Sequence, residues 1–103
     1  MIDKEMWRDW IRLKMVSTSQ RSIPFNVASE AYLLGRDELD ENLLPGELER
    51  EELPRQVVVY MYGTCDNEVL GYIIASEELD VMYVAGVLVD GKLSWAELGG
   101  EIE

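Results

Sequence analysis

The stretch from Gln56 to Tyr62, Gln-Val-Val-Val-Tyr-Met-Tyr, constrains the fold of this chain more than any other. Three consecutive β-branched residues followed by aromatics favour an extended backbone, and an apolar run without polar alternation suits a strand covered on both faces. Parallel strands between layers of helices have that pattern, so an α/β fold with a mostly parallel central sheet flanked by helices is expected. Directly after the run come Gly63, Thr64, Cys65, Asp66 and Asn67, a polar turn holding the one cysteine of the chain. In a parallel parse this turn lies over the carboxyl end of a strand, and Asp66 or Asn67 caps a helix with Glu68 in its first turn. Residues 61–67 are therefore the candidate active-site loop, with Cys65 as the candidate catalytic residue.

Length and composition bound what that loop could do. A chain of 103 residues with 48% apolar content fits one compact domain around one core. A lone cysteine forms no internal disulfide, and the absence of histidine removes the commonest zinc ligand and the ordinary neutral-pH base. No stretch has the ligand pattern of an EF-hand loop, so neither a metal nor another cofactor is expected. No apolar run has the length of a membrane span, and Met1-Ile2-Asp3 lacks the layout of a secretory signal, which makes a cytoplasmic protein the expectation.

The formal charge of −12 is unevenly spread. Residues 1–21 carry five basic and three acidic groups, whereas residues 22–103 carry four basic and eighteen acidic. Such a field repels nucleic acid and anionic membrane and favours a basic protein surface. It is also compatible with a nucleic-acid mimic, with adaptation to high salt, or with a well solvated face.

Along the chain, Asp3 to about Val16 reads as an amphipathic helix, with Met6, Trp10 and Leu13 on one face widened by Trp7 and Ile11. Ile23 to Ala28 is a short strand candidate, and Ser29 to Leu34 reads as one or two helical turns capped by Ser29 and stopped by Gly35. Residues 36–55 are acidic and punctuated by Pro45-Gly46 and Pro54. Within them Leu43-Leu44 is placed to return to the core, and Glu47 to Glu52 to form a short solvated helix. Val69, Leu70, Ile73 and Ile74 give a helical stripe, Val81 to Val89 a strand, and Leu93 to Leu98 a last short helix closed by Gly99-Gly100. A rival parse pairs Val57–Tyr62 with Val69–Ile74 as antiparallel strands and makes Asp90-Gly91 a hairpin turn, giving an antiparallel α+β fold.

The phrase Asn42-Leu43-Leu44-Pro45-Gly46-Glu47-Leu48-Glu49, followed by Leu53-Pro54-Arg55-Gln56-Val57-Val58-Val59-Tyr60, resembles the single-domain rhodanese-like family. Asn26-Val27 with Glu30-Ala31-Tyr32 and Gly35 resembles that family's first strand end and helix. Asp90-Gly91-Lys92-Leu93-Ser94-Trp95 and Gly99-Gly100-Glu101-Ile102 resemble its closing helix and glycine-rich tail. The resemblance covers about residues 23–102 and implies a parallel sheet with a sulfur-accepting cysteine directly after the valine-tyrosine strand. Met61 holds that position here, and a thioether forms no persulfide. Cys65 lies four residues later between acidic groups, Arg36 follows Gly35 where the family has histidine, and Asn26 replaces an acidic residue.

These departures lead to the expectation of a degenerate, catalytically inactive rhodanese-like domain acting by protein binding or structural association. A sulfurtransferase or thiol redox protein using Cys65 is one alternative, and an acidic inhibitor or nucleic-acid mimic is another. The expected partner is a basic protein surface, with a homo-oligomer also open.

Overall fold

The computed structural model describes residues 4–23, 28–46, 48–63, 68–78 and 81–99. Among these residues one helix, α1 (Lys4–Ser19), precedes five strands: β1 (Ala28–Gly35), β2 (Gln56–Gly63), β3 (Val69–Ala75), β4 (Met82–Val89) and β5 (Lys92–Leu98). Every neighbouring pair is antiparallel, and the spatial order of the strands is their order in the chain. The mostly parallel α/β sheet is thus corrected to an open antiparallel α+β meander, which the rival parse anticipated.

The physical reason lies in how the sheet is covered. Val57 and Val59 are buried on one face, Tyr60 and Tyr62 on the other, as the uninterrupted apolar run demands. Helix α1 covers only the second face, over β2, β3 and β4. The first face is covered by the largely irregular segment 36–55, whose Leu39, Leu43 and Leu53 pack on Val57, Val59, Tyr72, Ile74, Val84 and Leu88. Burial on both sides was correctly implied by the sequence pattern, but an irregular strap substitutes for a second helical layer.

Three expected helices are strands. Ser29–Leu34 lies within β1, where pairing with β2 from Ala28↔Gly63 to Gly35↔Gln56 overrides the helical preference of alanine and leucine. The Val69–Ile74 stripe is β3, whose Val69, Ile73 and Ala75 face α1 while Tyr72 and Ile74 face the strap. Leu93–Leu98 belongs to β5, with Trp95 packed edge-on against Trp10 at 5.7 Å between ring centroids. The expected strand at Ile23–Ala28 falls mostly on residues outside those described. Asp90 (φ 52°) and Gly91 (φ 83°) form the two-residue turn between β4 and β5, the positive-φ pair that suits a hairpin.

Helix α1 forms as expected but buries a different stripe. Trp7, Ile11 and Met15, four residues apart, make its inner face, whereas Met6 (68% exposed) and Leu13 (60%) point to solvent. The helix runs on to Ser19, so Lys14 lies mid-helix, its Nζ 5.3 Å from the Trp95 ring centroid. Gly71 sets how closely helix and sheet approach, because a Cβ there would lie 2.8 Å from Ile11 Cγ1 and 2.9 Å from Met15 Sδ. Tyr72 does the corresponding work on the other face. Its ring lies across Gly86, its register partner in β4, and its hydroxyl donates to the Leu43 carbonyl of the strap.

Candidate functional site

Of the expected active-site loop, residues 61–63 are described, and they lie in strand β2. Met61, Tyr62 and Gly63 are internal to the sheet, paired with Glu30, Ser29 and Ala28 on one side and with Tyr72, Gly71 and Leu70 on the other. Strand alternation sends Met61 into the cluster under the strap, where it is partly buried, and Tyr62 into the cluster under α1. Two side chains on opposite faces cannot line one mouth. Thr64, Cys65, Asp66 and Asn67 lie outside the described residues. The chain continues from them into strand β3, which starts at Val69, so a strand stands where a helix was expected after Asp66 or Asn67.

Comparison with family models, with curated proteins and with solved structures gives no match. The rhodanese resemblance therefore fails on both counts, in sheet topology and in sequence. Met61 is a packing residue of β2 and not a substituted nucleophile.

Tyr62 is still informative about the core. Burial, then the neighbouring Tyr60 phenol, push its pKa up to about 12, against a smaller lowering by Arg8. Burial alone raises that of Tyr72 as well. In the unfolded chain tyrosine ionises near pH ~10, so above that value the unfolded state loses protons that the folded state retains. The contribution is fully present below pH ~10 and is lost as pH rises through the folded values. Urea midpoints followed against pH should therefore hold up to about pH 10 and then fall, and Tyr62→Phe should make the fall shallower. An equally steep fall in that variant would refute this assignment.

The residues the topology does bring together are those of the strap. Arg36 Nη1 donates to the carbonyls of Leu53 (2.8 Å) and Glu51 (3.3 Å), while Arg50 Nη1 donates to those of Arg36 (2.8 Å) and Leu39 (2.9 Å). The Arg36 N–H donates to the Arg55 carbonyl at 2.9 Å, closing the strap where it leaves β1 and returns to β2. Short 3-10 turns at Arg36–Glu38, Glu41–Leu43 and Arg50–Glu52 lie between these ties. The last replaces the helix expected over Glu47–Glu52, and Leu43 reaches the core as expected. Asp40 caps the middle turn by accepting the Asn42 N–H at 2.9 Å, and Glu38 accepts that of Gly35 at 3.0 Å.

Both arginines therefore direct Nη1 to backbone carbonyls, and among the described residues neither forms an ion pair with a strap carboxylate. Asp37, Glu38, Asp40, Glu41, Glu49, Glu51 and Glu52 are all exposed. Among the described residues the ion pairs are Arg8 with Asp9 and Arg21 with Glu68 and Asp90, none of them in the strap. Nor do three acidic or cysteine side chains converge as a cation site among the described residues. The strap carboxylates are instead spread over one side of the sheet, opposite the helix that carries Arg8, Arg12 and Lys14. Sequence reading found the acidity of 36–55 but not the role of Arg36 and Arg50, because thirteen intervening residues give no periodic signal that two arginines share one scaffold.

Proposed function

We propose that the protein is a non-catalytic binding module whose carboxylate-studded strap engages a basic protein surface. The observation that carries this reading is the diversion of Arg36 and Arg50 to backbone carbonyls, which holds seven exposed carboxylates on an anchored framework without pairing them. A surface held in place before contact loses less conformational entropy on binding, and unpaired charge accelerates encounter with a cationic partner. A cationic surface that also binds nucleic acid would make the module a competitor for phosphate, which is the inhibitor form of the same chemistry.

Net charge alone attracts cations, so the test compares variants of equal charge. Glu49→Gln, Glu51→Gln and Glu52→Gln together are set against Glu77→Gln, Glu78→Gln and Glu97→Gln, all at exposed positions. With a lysine- and arginine-rich peptide as the calorimetric probe, the strap triple should weaken binding roughly tenfold, at about 0.2–1 kcal/mol for each exposed charge pair. The control triple should weaken it far less, and added salt should weaken binding by the native protein. Equal losses in the two triples would show an unspecific field and overturn the proposal.

A further inference from the structure

We infer that Arg36 and Arg55 form a binding cleft for the carboxylate of a small zwitterion, with Asp37 as the acceptor for its cationic nitrogen. The three residues line one open cleft of about 410 Å³ where the strap leaves β1 and rejoins β2. Strand pairing brings the two arginines there. The β1–β2 ladder ends with Gly35↔Gln56, and the next bond runs from the Arg36 N–H to the Arg55 carbonyl at 2.9 Å, so the arginines oppose each other as a cross-strand pair does.

Like charges directly opposed across a ladder repel, and a protein with 21 acidic and 9 basic residues has carboxylates to spare for relieving them. None does so among the described residues. The ion pairs there belong to Arg8 and Arg21, and Asp37, which lines the same cleft, pairs with neither arginine. Arg36 is nonetheless held in place, since its Nη1 donates to the Leu53 and Glu51 carbonyls, which leaves Nε and Nη2 without a partner among the described residues. The Arg55 side chain is exposed and makes no hydrogen bond or ion pair among them. Two guanidinium groups with open donors, one of them already anchored, suit a two-oxygen acceptor that takes a hydrogen bond from each.

Charge selects the class of ligand. A protein of −12 repels a free anion, most strongly a dianion such as phosphate, and the cleft opens among the exposed carboxylates of the strap. A zwitterion brings no net charge into that field. Its carboxylate meets the two guanidinium groups, and its nitrogen meets the Asp37 carboxylate that the arginines leave unpaired. The cleft differs in kind from the rest of the strap, which presents carboxylates without exposed cations beside them. Its occupancy goes beyond the engagement of a basic surface and does not depend on it.

Titration of the isotope-labelled protein at constant ionic strength, followed by NMR, tests the inference. The probes are glycine, β-alanine and γ-aminobutyrate, which bracket the separation of carboxylate and ammonium, with acetate, methylammonium and inorganic phosphate for comparison. The best of the amino acids should shift the backbone amides of Arg36, Asp37 and Arg55 saturably. It should bind about two- to fivefold more tightly than acetate, the worth of one exposed ion pair. Arg55→Gln keeps the carbonyl that ties Arg36 and should weaken binding of that amino acid about tenfold, as loss of a charged donor does. Lys92→Gln, the same charge change at an exposed position of β5, should leave binding unaltered. Asp37→Asn should abolish the advantage over acetate. Absence of saturable shifts with every amino acid, tighter binding of phosphate or acetate than of any of them, or equal losses in Arg55→Gln and Lys92→Gln would overturn the assignment.

Discussion

Gly71→Val is expected to destabilise the protein by about 3 kcal/mol, the upper end of the ordinary range for overpacked cores. Valine is favoured in strands by intrinsic propensity, so the loss has to come from packing. A Cβ at position 71 meets Ile11 Cγ1 at 2.8 Å and Met15 Sδ at 2.9 Å, and both side chains are fully buried. Neither neighbour has room to move without lifting α1 from β3, which also draws Trp7 and Trp10 away from Tyr60 and Trp95. Urea unfolding followed by tryptophan fluorescence should show a lower midpoint and a native baseline altered by the displaced indoles. Gly46→Ala is the control, because nothing lies within 4 Å of a Cβ built there. If both substitutions cost the same few tenths of a kcal/mol, close approach at Gly71 is not what seats the helix.

Tyr72→Ala should cost about 4–5 kcal/mol, enough to remove most of the stability of a domain this small. The side chain is fully buried, and it fills the space between the sheet and the strap while donating to the Leu43 carbonyl. Tyr72→Phe separates these contributions, since it keeps the ring but leaves that carbonyl without its donor, at a cost of about 1–3 kcal/mol. Gly86 supplies an independent check. A Cβ there would come within 2.6 Å of Tyr72 ring carbons, so Gly86→Ala should be harmful in the native background and nearly neutral once Tyr72 is alanine. Strict additivity of the two changes in chemical denaturation would show that the ring is not packed over Gly86.

Much of this architecture is legible in the sequence where one physical cause dominates. The Val57–Tyr62 run is a strand buried on both faces, α1 forms near its expected place, and Asp90-Gly91 turns a hairpin. The topology was less accessible because residues 69–74 satisfy two periodicities at once. When both faces of a strand are buried, Val69, Leu70, Ile73 and Ile74 match a helical stripe as well as a covered strand. Ser29–Leu34 has the composition of a helix and becomes a strand only through its partner β2, a contact across the whole strap. The candidate site was half visible for a similar reason. Carboxylates declare themselves in a sequence, but the carbonyl-bound arginines and the Tyr72 anchor beneath them exist only after the strap has closed on the sheet.

The meander order of the strands also governs the sequence of events by which the sheet is built. Strands β2 to β5 are joined by short connections, so each of their ladders closes a small loop. Strand β1 reaches β2 only when the twenty residues between Gly35 and Gln56 have folded back. Loop-closure entropy rises only slowly with length, and it is Leu39, Leu43 and Leu53 that repay it. The pairing of β1 and the ordering of the strap are consequently expected to be coupled, since the chain that returns from β1 to β2 is the strap itself. A lesion at Tyr72 beneath the strap, or at Leu43 within it, should therefore loosen the border of the sheet although neither residue belongs to β1.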